Sequence, residues 1–227
     1  MKNQFISSSF FQFFSRIFDI MLLNFLFLIC CLPIVTIGVS TAAMFSVTLK
    51  LNRNQESYVI KDFFYAFRHN FKQGIILHLL LILLTIIIFI DLYVMWNILE
   101  FGILYKWIFG LLVIFSCLVL FASFYIYPLL AQFHNTVKGY IRSAITLSLK
   151  HFSYTIMFLL ITILPVAAAF LIPGAIEWEI LAFLLMGFSL LSYICSKFFV
   201  IIFKQYMHDD KTADNSTIGT TLADTSN

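Results

Sequence analysis

Charge is what this chain has least of. Only 11% of its 227 residues are Asp, Glu, Lys or Arg, against about 25% in soluble domains, so a water-facing surface cannot be built from this pool. Only four cysteines are present, Cys30, Cys31, Cys117 and Cys195. All lie in apolar stretches, with no C-x-x-C pair and no histidine at ligand spacing, which argues against a metal or disulfide framework. No G-x-x-x-x-G-K-[ST], G-x-S-x-G or H-E-x-x-H occurs, so no catalytic residue, cofactor or metal site is expected. The net charge of +3 forms no basic stripe with interleaved stacking residues, which excludes a nucleic-acid reading.

What replaces charge is apolar length. Hydrophobic residues make up 62% of the chain, with 28 Phe and 10 Tyr and a mean hydropathy of +0.99. Gln73 to Ile90 contains no formal charge, and Asp19–Lys50, Lys106–Lys138, Lys150–Glu177 and Glu179–Lys197 are equally bare between their ends. About 20 apolar residues in a helix cross roughly 30 Å of hydrocarbon. The expected fold is all-α, a polytopic transmembrane bundle solvated by a lipid bilayer. The apolar stretch after Asp19 is longer than a signal-peptide core, so the N-terminus is expected to be retained.

Three regions follow from composition. Residues 1–18 form an aromatic interfacial segment, where Phe10, Phe11, Phe13, Phe14 and Phe18 surround Arg16. Residues 19–205 form the transmembrane domain. Residues 206–227 are rich in Ser, Thr, Asp and Asn, cannot bury enough apolar surface to order themselves, and are expected to be a disordered tail. Asn215-Ser216-Thr217 in that tail is an accidental sequon.

The first span begins near Ile20 and meets Pro33, which removes an amide donor and clashes with the preceding turn. Ile20 to Leu51 makes 32 residues, roughly 48 Å at 1.5 Å per residue and too long for one straight crossing. The preferred reading is a single kinked span, giving five in all. The alternative is a hairpin turning at Pro33–Gly38, giving six. Later spans are expected at Gly74–Ile90, Trp107–Gln132, Tyr154–Ile172 and Ile180–Phe203.

Two shorter stretches are amphipathic. Ile60, Phe63, Phe64, Phe67 and Phe71 fall on one helical stripe, with Lys61, Asp62, Arg68, His69 and Lys72 off it. Ile141, Ala144, Ile145, Leu149 and Phe152 make a second stripe. Both suit helices lying on the bilayer surface. Arg68-His69 before one span echoes Lys150-His151 before another, and Pro33 pairs with Pro128, so a span, surface helix, span unit repeats. Cations gather in the loops around both surface helices and at the C-terminal end, while Asp91–Lys106 holds one and Pro173–Glu179 none. By the positive-inside rule the C-terminus is expected to be cytoplasmic.

Candidate positions are few. His78 lies at membrane depth, where a polar group is a functional hypothesis; the plainer reading is a histidine bonding a neighbouring helix near the cytoplasmic interface. Lys197 is expected to snorkel, and Asp91 and Glu100 to be solvated carboxylates flanking an outer loop. Asn24, Pro33, Thr36, Gly38 and Ala42 form a helix-break or packing motif, read mainly as close helix contact, with a substrate site at the broken backbone as the alternative.

Asn24, Cys31-Leu32-Pro33-Ile34-Val35-Thr36-Ile37-Gly38, Ala42-Ala43 and Lys61-Asp62-Phe63-Phe64-Tyr65-Ala66-Phe67 with Asn70-Phe71-Lys72 resemble the YesL family of small bacterial integral membrane proteins. The resemblance covers most of residues 10–205, and its specific part is the Pro-x-x-Thr-x-Gly element with the downstream aromatic helix. Similar proteins tend to be encoded beside ABC-type sugar transporters and polysaccharide-degrading enzymes. That implies a non-enzymatic accessory role in carbohydrate uptake, with transporter subunits as partners. A transporter or channel in its own right is the alternative. The expected partner-contact helix carries Asp62, Phe63, Phe67, Asn70 and Phe71.

Overall fold

A computed structural model describes residues 9–55, 57–97, 103–172 and 174–205. The tail of residues 206–227, Glu100 and the start of the 1–18 segment lie outside them. All regular structure among the described residues is helical: α1 (Ser9–Cys30), α2 (Ile37–Asn52), α3 (Val59–His69), α4 (Phe71–Asn97), α5 (Ile103–Gln132), α6 (Val137–Lys150), α7 (Phe152–Leu171) and α8 (Ala175–Ala182). The last runs through a π-helical turn, Phe183–Gly187, and continues helically to Gln205. Six helical stretches among the described residues are long and apolar enough to cross a membrane.

The preferred five-span reading fails at its first segment. The chain doubles back at Leu32–Thr36: Arg16, early in α1, donates to the Asn54 side chain just beyond α2, so the two helices lie antiparallel. The turn is closed locally, because the Thr36 hydroxyl and amide both reach the Pro33 carbonyl at 2.7 and 3.0 Å. The physical reason is the one proline gives: it cannot continue the helical ladder, and here the chain reverses rather than kinks.

From Asn52 the chain retraces α2. Lys50 near the end of α2 pairs with Asp62 of α3 at 2.9 Å, and a Cβ on Gly74 of α4 would touch Val39 near the start of α2. The short helix α3 therefore carries the chain back along α2. α6 does the same along α5: the Tyr140 hydroxyl donates to the Phe133 carbonyl at 2.6 Å, and the Tyr125 hydroxyl reaches the His151 carbonyl at 3.4 Å. A long helix, a short retracing helix and a second long helix thus occur twice, as α2–α3–α4 and α5–α6–α7. The Arg68-His69 and Lys150-His151 echo marks equivalent junctions. Pro33 and Pro128 do not correspond, since Pro33 lies in a turn and Pro128 inside α5.

Both amphipathic helices are rotated from the expected stripe. α3 buries Val59, Phe63 and Ala66 against Leu23 and Phe27 of α1 and Met44, Val47 and Leu51 of α2. α6 buries Tyr140, Ala144, Leu147 and Ser148, while Leu149 and Phe152 stay exposed. A second cluster joins α2, α5, α6, α7 and α8 through Ala42, Tyr125, Ile126, Ala144, Phe158 and Phe199. Tyr125, Phe158 and Phe199 pack as an aromatic triad, the last two stacked at 4.6 Å.

Asp62 holds the α2–α3 corner. It accepts from Lys50, from the Ser57 hydroxyl at 3.0 Å and from the Tyr58 amide at 3.2 Å. Burial alone would raise its pKa, but these bonds and the Lys50 charge outweigh that and hold it below the usual carboxylate value. A folded-state pKa lowered in this way gives stability that is present above the unfolded value and lost as pH falls through the folded one. Melting the detergent-solubilised protein from neutral pH to below 4 should therefore show an acid loss that Asp62→Asn removes. An identical acid dependence in the variant would refute the role.

Candidate functional site

The expected break motif divides into two contacts. Thr36 completes the reversal: its hydroxyl also donates to the Cys30 carbonyl at 2.6 Å, satisfying a group left over at the C-terminus of α1. Pro33 itself is exposed. Gly38 and Ala42 are buried on α2. A Cβ on Gly38 would lie 2.5 Å from the His78 Cβ and 3.1 Å from the Gly74 carbonyl oxygen. Two helices approach this closely only where glycine leaves the room.

His78 completes this contact from α4. It is 8% exposed, and its Nδ1 lies 2.8 Å from the Tyr127 hydroxyl of α5. Its Nε2 is buried beside the Ile34 backbone. The histidine therefore bonds a neighbouring helix, as the plainer sequence reading holds. Beyond it a cavity of about 400 Å³ runs between α4 and α5, lined by His78, Thr85, Ser116, Ser123 and Tyr127 with aliphatic side chains.

Asn24 has a different task. Its side chain is fully buried, and its Nδ2 donates to the Phe183 and Leu184 carbonyls at 3.0 and 2.9 Å. Its Oδ1 accepts from the Ser189 amide at 3.2 Å. A π-helical turn replaces i to i−4 bonds by i to i−5 ones, and in a low-dielectric interior every backbone group needs a partner. Asn24 adds side-chain bonds at that turn. The Ser189 hydroxyl donates in return to the Ile20 carbonyl at 2.6 Å, which ties α1 to α8 from both sides.

A second polar seam joins α2 to α8, where the Thr48 hydroxyl shares hydrogen bonds with Ser192 at 3.1 Å and Ser196 at 2.7 Å. Sequence reasoning singled out Asn24 but missed the three serines. Their i, i+3, i+7 spacing on the last span was the available signal, since small hydroxyl residues on one helical face mark a packing seam.

The expected partner-contact residues are mostly turned inward. Phe63 is 0% exposed and Asn70 is buried, while Asp62 is committed to the corner described above. Phe67 is half-buried, and Phe71 keeps 40% of its surface. The reason is the rotation of α3: the chain closes its own hairpin with Phe63, and the outward face carries Ile60, Phe64 and Tyr65 instead.

The length and apolar character of these helices, with polar groups spent on holding helices together, define a multi-pass α-helical membrane protein. Residues 20–92 match a family described as "Protein of unknown function, DUF624". That segment contains Asn24, the Pro33–Gly38 turn and α3, the elements that carry the family resemblance. Over 161 residues the chain is 28% identical to uncharacterized protein YteU of Bacillus subtilis (strain 168), a stretch covering 68% of this chain and 65% of that protein's length. No solved structure matches.

Proposed function

We propose that this is a multi-pass protein of the bacterial plasma membrane, with its C-terminus cytoplasmic. In this reading it acts as a non-enzymatic accessory factor of carbohydrate uptake by contacting ABC-type sugar-transporter subunits, without a cofactor. Orientation follows from charge. At one end of the α4–α5 pair, Gln73 donates to the Asn135 carbonyl at 3.0 Å, and Arg68, Lys72 and Lys138 gather nearby in sequence. Phe203 of α8 packs on Phe133 at that end. The far ends of α4 and α5 and the start of α8, after the α7–α8 turn, carry Asp91, Lys106, Glu177 and Glu179. Cations mark the cytoplasmic side.

The observation that carries the accessory reading is the outward face of α3. Ile60 is 51% and Tyr65 69% exposed, on a helix whose opposite face is closed by the protein's own core. The link to sugar uptake rests on the family resemblance. The experiment is copurification of the tagged protein from native membranes. Transporter subunits are expected with the wild type, and Ile60→Asp combined with Tyr65→Asp should abolish their recovery while leaving membrane insertion and melting temperature unchanged. A clean monomer in mild detergent, from membranes that contain the transporter, would count against the reading.

One observation favours a second reading, a solute pathway: the cavity between α4 and α5 with its histidine, tyrosine and hydroxyl groups. Solute flux into liposomes containing this protein alone would select it.

A further inference from the structure

The junction of α3 with α4 meets the α5–α6 junction in a groove that the buried polar contacts leave unused. Its polar rim is the cations Arg68 and Lys72 with His69 from one junction and His134 from the other, and its wall is Phe64, Phe67 and Phe71. The volume is about 780 Å³. His69 and His134 face each other with ring nitrogens 3.4 Å apart, and the Gln73 to Asn135 bond fixes the two junctions together. We propose that this groove holds an anionic glycerophospholipid, with its phosphodiester against the basic rim and its acyl chains along the phenylalanine wall.

Three features select that occupant. The first is charge complementarity. No acidic residue lines the groove, and the one ion pair among the described residues, Lys50–Asp62, lies elsewhere, so Arg68 and Lys72 have no carboxylate partner there. A basic pocket between membrane helices on the cytoplasmic side is the arrangement that recognises anionic headgroups. The second is amphiphilicity. Three phenylalanines offer nothing to a free phosphate ion, whereas acyl chains need such a wall. The Phe67 and Phe71 rings already pack together at 5.6 Å, and Phe71 retains exposed surface for a further contact. The third is depth. The groove sits at the start of α4, where the charged residues end and the uncharged run from Gln73 begins, which is the level of a headgroup beside a spanning helix. The accessory role proposed above is independent of this site, since its contact residues Ile60 and Tyr65 are not in the groove.

Native mass spectrometry of the full-length protein in mild detergent tests the proposal, with phosphatidylglycerol and phosphatidylcholine of matched chains as probes. The wild type should retain phosphatidylglycerol in clear preference. Arg68→Gln combined with Lys72→Gln should reduce that preference by about fivefold for each cation removed, and Lys106→Gln, on the opposite end of the bundle, should leave it unchanged. If the double variant is not monodisperse, Lys72→Gln alone, at an exposed position, should show the single fivefold step. Excess inorganic phosphate should leave the bound lipid in place. Equal retention of the two lipids, an unchanged preference in the variants, or displacement by phosphate would each overturn the proposal.

Discussion

Replacing Gly38 by leucine is expected to do more damage than any other single substitution in the first hairpin. Even a Cβ at this position would lie 2.5 Å from the His78 Cβ and 2.9 Å from its Cγ. Neither atom is the free end of a flexible chain, and the third neighbour is the Gly74 backbone carbonyl. Relief therefore requires α2 and α4 to move apart, which also disturbs the His78–Tyr127 bond and the closing of the reversal at Pro33. Overpacking costs about 1–3 kcal/mol where neighbours can adjust, occasionally more, and the rigid neighbours put Gly38→Leu at or above the upper figure. For a domain of this size each kcal/mol lowers the melting temperature by about 2–4 °C, so a fall near 10 °C is expected in a detergent melt. Gly74→Val should behave similarly, because its Cβ would lie 2.8 Å from a Val39 methyl. Gly110→Ala is the control: nothing lies within 4 Å of its Cβ, and the helix-propensity gain of up to about 1 kcal/mol should leave the melt unchanged or slightly raised. A Gly38→Leu protein that melts like the wild type would mean that the α2–α4 contact is not this close.

Asn24→Leu is expected to be nearly as severe, for a chemical rather than a steric reason. Leucine has a comparable size and suits an apolar interior, yet it removes the bonds to the Phe183 and Leu184 carbonyls and the Ser189 amide together. An unsatisfied buried group costs about 1–3 kcal/mol. Interhelical hydrogen bonds in membranes often contribute only about 0.6 kcal/mol, because the reference state finds other partners. At the π-helical turn three such bonds converge on one buried side chain. A loss of about 3 kcal/mol and increased protease sensitivity near the turn are expected. Asn24→Asp should give no rescue: it restores the acceptor for Ser189 but turns a carboxylate toward two carbonyl oxygens. If leucine and aspartate are both tolerated, Asn24 does not hold the turn.

The fold class was legible because bilayer thickness sets a length that 62% hydrophobic content and wide charge-free gaps fill visibly. Gly38 and Ala42 were legible as packing because small residues at four-residue spacing have one main use in such helices. The doubling back at Pro33 was not. Proline states only that the ladder breaks, and kink or reversal depends on whether α1 finds a partner in α2 or beyond it. Here Leu23 and Phe27 pack in one cluster with Met44 and Val47, a tertiary fact with no local signal. The direction of the α3 face was missed for a related reason. Seven aromatic and aliphatic residues fill more than half the helix, so periodicity cannot say which of them turn inward. Contact with α1 and α2 selects Val59, Phe63 and Ala66. The π-helical turn has no sequence signature at all, and nothing in the sequence tied Asn24 to it.

The central claim is a lipid-embedded bundle whose cation-rich end faces the cytoplasm. Single cysteines placed by Lys106→Cys, Glu177→Cys, Lys72→Cys and Lys138→Cys in a cysteine-free background test it most directly, using a membrane-impermeant maleimide on intact cells. Labelling of the cysteines at 106 and 177 before permeabilisation, and of those at 72 and 138 only afterwards, is the expected result. Labelling of the cysteines at 72 and 138 from outside would contradict the orientation, and labelling of all four would contradict the bundle's passage through the membrane.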